Sequence, residues 1–225
     1  MNEEDMDKEM REFYAKTGGR NIEDIFRHYW TCRRAFIDYQ VARFHALANR
    51  IPERRVDLGM RQISYADVVT VFSHLFLEAT IYDYGATNLS DSYMKKYIDR
   101  LNFLSRWVVI PRLVTGKTFP TQSQAYQMLG KVNRARNGLV HFKTRRVLGQ
   151  TVSQAFETSM ENHIAPSECF DCMSEALREL RNLGPEKWLP FQWGTIENVL
   201  EAEYKQIEAI ADKHIGAIAQ DRTSA

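Results

Sequence analysis

Apolar side chains recur at every third or fourth position over most of this chain, a period that admits helices and little else. Val68, Val71, Leu75, Ala79 and Tyr82 follow it, as do Tyr93, Tyr97, Leu101, Leu104 and Val108. No strand-like alternation or fixed repeat competes with it. Six prolines and eleven glycines in 225 residues leave few positions that forbid a helix. At 44% hydrophobic and 26% charged residues, the chain has enough apolar material for a core, which excludes wholesale disorder. The expected fold class is all-α, a helical bundle with short connections.

Breakers divide the chain. Residues 1–20 read as a polar tail or short helix ending at Thr17-Gly18-Gly19, residues 21–220 as a single helical domain, and 221–225 as a tail. Asn21 is placed to cap a helix running to about Ala48, anchored by Phe26, Trp30, Phe36 and Phe44. Ile51-Pro52-Glu53 stops it, and Glu53 to Arg61 reads as a charged connector. A helix from Ser64 to about Gly85 follows, then one from Ser90 to Val114 that Pro111 bends or ends. A fifth helix opens at Thr121 or Ser123 and reaches about His141. Residues 167–183 and 195–219 carry two more.

No apolar run approaches the 18 or so residues of a membrane span. The acidic start MNEEDMDKEM is unlike a secretory signal, and three cysteines are too few for a disulfide framework. The expectation is a cytoplasmic protein with no membrane partner. Net charge is +1, but it is unevenly placed: Arg100 to Phe156 holds ten Lys or Arg and no Asp or Glu. Residues 157–225 return thirteen acidic against six basic. The basic middle either presents a phosphate-attracting field or is neutralised by acidic ends folding over it.

Within that segment the fifth helix ends in Arg134-Ala135-Arg136-Asn137-Gly138-Leu139-Val140-His141. Asn137 and His141 are four apart and share a helix face, and Arg134 aligns with His141 seven on. Arg136 lies about 140° round from His141, within reach of a shared anion through its long side chain. Leu139 and Val140 are expected to pack inward. An imidazole titrates near neutrality and a guanidinium binds phosphate, which suits cleavage of a phosphodiester beside a 2′-hydroxyl. By themselves these residues make a weak pattern, more readily a surface Arg and a helix C-terminal His favoured by the dipole than a catalytic pair.

Arg136-Asn137-Gly138-Leu139-Val140-His141 resembles the R-x4–6-H motif of the HEPN superfamily, in the form with a polar residue after the Arg. Leu77-Glu78-Ala79 with Asp83 is similar to the family's earlier helix, which carries acidic or amide residues near the site. Trp107, Pro111 and Gly116-Lys117, then an amphipathic helix, also match, so the resemblance covers residues 64–146. It implies a HEPN-type bundle with additional N- and C-terminal helices. It also implies a homodimer whose two motifs face each other, and a metal-independent, cofactor-free endoribonuclease acting on RNA in a toxin–antitoxin or phage-defence setting. An inhibitory or triggering protein partner goes with that setting. By the same resemblance Arg136 binds the phosphate, His141 is the general acid/base and Asn137 orients one of them. Arg134 fits the motif at the longer spacing. Glu78 is a supporting polar group, and both it and Asp83 also read as plain partners that neutralise an Arg. Lys143, Arg145 and Arg146 suit an RNA backbone, or are an exposed basic turn. One His cannot easily serve as both base and acid, so the ribonuclease reading requires the dimer.

Other signals are weaker. Cys169 and Cys172 form a lone CxxC with His163 upstream, and no fourth zinc ligand is evident. Gly116-Lys117-Thr118 lacks the first glycine of a phosphate loop and no strand precedes it. His28, His45 and His74 read as packed or surface histidines, and the Trp188 to Trp193 stretch as a core edge or a partner patch. Two rival functions stand beside the enzyme: a non-catalytic HEPN-like interaction module, and a nucleotide or anion sensor at the same cleft.

Overall fold

The computed structural model describes residues 23–49, 51–140 and 164–184, with the single positions 205, 209 and 213, which are helical and exposed. The expectations for the N-terminal tail, Asn21, the stretch from Trp188 to Trp193 and the rest of the last helix lie outside the described residues. All regular structure among the described residues is helical, as the apolar period requires. In chain order α1 spans Glu23–Ala48, α2 Pro52–Leu89, α3 Asp91–Tyr93, α4 Phe103–Thr115, α5 Gln124–Val140 and α6 Pro166–Leu183. A π-helical turn, Met94–Ile98, follows α3. No described helix is long and apolar enough to cross a membrane.

The expected connector from Glu53 to Arg61 is instead the opening of α2, which runs unbroken for 38 residues. Pro52 does end α1, but it sits in the first turn of the next helix, where its missing N–H is no loss. Asn49 bridges the corner by accepting from the Ile51 amide (3.0 Å). Ser64, expected as a cap, turns its hydroxyl back to the Met60 carbonyl (3.0 Å), as a serine inside a helix does.

The two long helices pack antiparallel. Residues later in α1 meet residues earlier in α2: Cys32 donates to the Val69 carbonyl (3.6 Å), and the Tyr29 and Phe76 rings lie 6.2 Å apart. Buried positions in the second half of α2 include Val69, His74, Phe76, Leu77, Ile81 and Tyr84. At about 100° per residue these six span about 160° of the circumference, one broad face, and α4, α5 and α6 all pack against α2. Two expected anchors fail: Trp30 is 53% exposed under the Arg33 guanidinium, and Tyr97 is 54% exposed under Lys96.

The single helix expected from Ser90 to Val114 is broken at Asp99–Asn102. Asn102 caps α4, its side chain accepting from the Ser105 amide (2.9 Å). Arg106 reaches back to the carbonyls of Leu101 (3.0 Å) and Asp99 (2.9 Å), satisfying groups the break leaves open. Pro111 does not end α4, which continues to Thr115 and closes at Gly116 in the left-handed region (φ 77). Ser123 caps α5, its hydroxyl accepting from the Tyr126 amide (3.2 Å).

At Gly85 a Cβ would stand 2.7 Å from Met94 Sδ and 3.0 Å from Ile110 Cγ2. Both neighbours are fully buried, so this glycine sets how closely the π turn and α4 approach α2. Gly85→Ala gains about 1 kcal/mol of helix propensity and loses about 1–3 kcal/mol to overpacking. The expected result is a net loss on the order of 1 kcal/mol in urea unfolding, and a stabilised variant would contradict this packing.

Candidate functional site

The inner face of α2 carries polar groups that burial obliges to find partners. His74 and Glu78, one turn apart, share a face. His74 is only 3% exposed, with its ring 4.3 Å from that of Phe103 on α4. Its Nε2–H donates to Oδ1 of Asn133 on α5 (3.1 Å), since an amide oxygen only accepts. Nδ1 lies 3.8 Å from Glu78 Oε2 and has no hydrogen-bond partner among the described residues. The other Glu78 oxygen accepts from Arg106 Nη1 at 2.9 Å. Three helices therefore meet through one buried polar cluster.

Arg136 stands one turn after Asn133 on α5. It is half-buried; Nη1 donates to Asn137 Oδ1 (3.0 Å), while its buried Nε–H has no partner among the described residues. Arg134 is exposed and lies back along its own helix, Nη1 being 3.4 Å from where a Cβ on Gly130 would stand. Of the two candidate arginines, Arg136 is the one held against Asn137. Val140, expected to pack inward, is 48% exposed, and Leu139 is partly buried. Met128, Leu129, Val132 and Ala135 are buried along α5; Val140 lies only about 20° round from Leu129, yet at the far end of the described helix it is exposed.

Glu78 pairs with Arg106, not with either motif arginine. Asp83, five residues on, is turned about 140° from Glu78 around α2 and is half-buried there. His141, Lys143, Arg145, Arg146 and His163 lie outside the described residues. His74, which read as an ordinary packed histidine, is packed but sits at the centre of the cluster. Its i,i+4 spacing from Glu78 was a usable signal, whereas the pairing with Asn133, 59 residues away, was not.

The electrostatics follow from burial. Desolvation lowers the His74 pKa below its ordinary 6.5; the Asn133 hydrogen bond and Glu78 oppose this, and Arg136 and Arg106 add to it. At neutral pH the ring is therefore uncharged. The cysteines behave differently. Cys32, Cys169 and Cys172 are buried together, with the Thr70 hydroxyl 3.9 Å from Cys169 Sγ. Burial pushes the Cys169 thiol up to about 12 and the other two well above their usual value. They are core thiols, and no group of three or more His, Cys, Asp or Glu among the described residues is placed to hold a metal ion.

Arg106 satisfies two backbone carbonyls besides Glu78, so Arg106→Met is expected to cost about 2–3 kcal/mol. Glu78→Gln, which keeps an acceptor on a side chain one-third exposed, should cost about 1 kcal/mol; the reverse order in denaturant unfolding would refute this division. The His74 sign also follows. Unfolded, the ring takes its proton near 6.5; folded, it does so only at lower pH. Stability contributed by the neutral ring is full above 6.5 and is lost as pH falls toward the folded pKa. Thermal melts between pH 7.5 and about 5 should fall less steeply in His74→Gln than in wild type.

No family model matches the chain, and no curated protein or solved structure matches it.

Proposed function

We propose that this chain is a metal-independent HEPN-type endoribonuclease. Its substrate is RNA, and its setting is a cytoplasmic toxin–antitoxin or phage-defence system with an inhibitory or triggering partner. The observation that carries the reading is the Arg136–Asn137 contact near the end of α5, in the acid-free basic segment and directly before the His141 position. A guanidinium held by an amide is a prepared anion site: less side-chain freedom is lost when phosphate binds. Glu78 does not compete for it, because Arg106 occupies that carboxylate.

In this reading the 2′-oxygen attacks the adjacent phosphorus as His141 takes its proton. The bond from phosphorus to the 5′-oxygen breaks, and that oxygen is protonated by the His141 of a second copy across a twofold axis. The products are a 2′,3′-cyclic phosphate and a 5′-hydroxyl. Arg136 offsets charge on the phosphate oxygens in the transition state. His74 cannot supply the second proton, because at 3% exposure it does not meet substrate.

A second reading has its own support. Val41, Leu47, Ile51, Val56 and Met60, around the corner between α1 and α2, are exposed and apolar. Such a surface favours a non-catalytic interaction module. One experiment separates the two: purified protein acting on a mixed structured RNA in EDTA, beside Arg136→Ala and His141→Ala. The ribonuclease reading expects cyclic-phosphate ends from wild type and a loss of roughly a hundredfold or more in either variant. Equal behaviour of all three proteins transfers the assignment to the interaction module.

A further inference from the structure

The first half of α2 extends beyond the core. None of residues 52–68 is fully buried, and burial begins only at Val69. Between this arm and the end of α1 runs a trough made of two adjoining grooves of about 670 Å³ each, which share Val56 and Gln62. The α2 residues that line it, from Pro52 at the corner to Ala66, fall within about 160° of the helix circumference at 100° per residue. The trough therefore follows one face of α2 for about 21 Å, roughly four helical turns. Its base, at Ile63, Ala66, Ile164 and Pro166, is apolar, and its mouth at the corner is flanked by Arg43 and Arg55. Among the described residues no Asp or Glu lines it. Residues 43–63 hold five arginines against two acids, and one of those acids, Asp57, is paired with Arg61 at 3.1 Å.

Gly59 is an independent observation. A glycine inside a helix weakens it, so its place there calls for a neighbour that needs the space. Gly85 has such neighbours in Met94 and Ile110, whereas at Gly59 a Cβ would meet nothing within 4 Å. The bare backbone at Gly59 serves no packing within the chain, and it stands in the floor of the trough. A backbone left open there admits the close approach of another one.

We propose that the trough is the docking site of an amphipathic helix from a partner protein, about four turns long, apolar on one face and carrying Asp or Glu at the end that meets the corner. The inference rests on the corner surface that carries the second reading, and it names the partner's chemistry. Val56, Met60 and Ile63 receive the apolar stripe, and Arg43 and Arg55 meet the acids through charge-assisted hydrogen bonds. Gly59 lets the partner's backbone sit low between the two helices. Concavity and charge select this occupant. A bilayer surface is flat and does not enter a trough between helices. A nucleic acid would carry phosphates over the apolar base, where no Lys or Arg meets them.

The experiment selects displayed helical peptides of about five turns, with randomised faces, on the full chain, and counter-selects them on Gly59→Phe. Peptides retained by wild type alone should carry an apolar stripe with Asp or Glu clustered at one end. In fluorescence anisotropy the leading peptide should bind Arg55→Glu roughly tenfold more weakly, with recovery when its acids are exchanged for Lys. Gly59→Phe should weaken it roughly a hundredfold by filling the floor. That variant removes a helix-weakening glycine from open space, so its thermal melt should be no lower than that of wild type. Retained peptides without acids, equal binding to Gly59→Phe, or no retained peptide overturns the inference. So does a dimer that Gly59→Phe dissociates in sedimentation, or binding to phosphatidylserine–phosphatidylcholine vesicles that Gly59→Phe abolishes, since each gives the trough another occupant. RNA cleavage by the same preparation is a separate readout. An active ribonuclease that retains acidic helices keeps the docking site and removes the non-catalytic reading; a chain that does neither keeps that reading and loses the docking site.

Discussion

The structure depends on the burial of one helix. The second half of α2 is buried along one broad face, so the side chains on that face must be satisfied by the helices that pack on it. Apolar ones such as Phe76, Leu77 and Ile81 need only volume, and fully burying each contributes about 1.5–3 kcal/mol. Polar ones need partners with defined geometry. His74 and Glu78 thereby fix the rotation of α4, through Arg106, and of α5, through Asn133. A slip of either helix would leave the buried imidazole or the partly buried Arg106 guanidinium without its partner, which low polarity makes expensive.

The same requirement brings the fold to the candidate site. Arg136 does not contact α2 through a strong bond of its own; it stands one turn beyond Asn133, which does. The last described turn of α5 is therefore registered on the core by the turn before it. The ion pair between Glu78 and Arg106 also keeps the carboxylate away from Arg136. That leaves a positive group in a segment from Arg100 to Phe156 that holds no acid. Structural satisfaction of one arginine and availability of another are two sides of one arrangement.

Parts of this arrangement were legible in the sequence. α1 and α6 end, and α5 begins, within a residue or two of the expected positions, because caps and breakers such as Pro52, Ser123 and Gly184 act locally. The expected connector at Glu53–Arg61 misread a charged stretch as a loop. Charge says only that a surface is solvated, and a long helix projecting beyond its core is solvated on most sides. The break at Asp99–Asn102 was missed because the apolar period continues through it, while the groups that stabilise it come from Arg106, further along the chain.

For the site, the sequence by itself determined which chemical groups stand together on α5: Arg134, Arg136 and Asn137 are neighbours whatever the fold. It also determined that His74 and Glu78 share a helix face, since four residues make about one turn. Only the tertiary structure decided that Glu78 belongs to Arg106 and that Asn133 belongs to His74. The physical reason is range. Helical spacing fixes relations within a turn or two, whereas the choice among several arginines for one carboxylate depends on which helices the core brings into contact. That choice follows from the shape and burial of α2 rather than from the charges themselves.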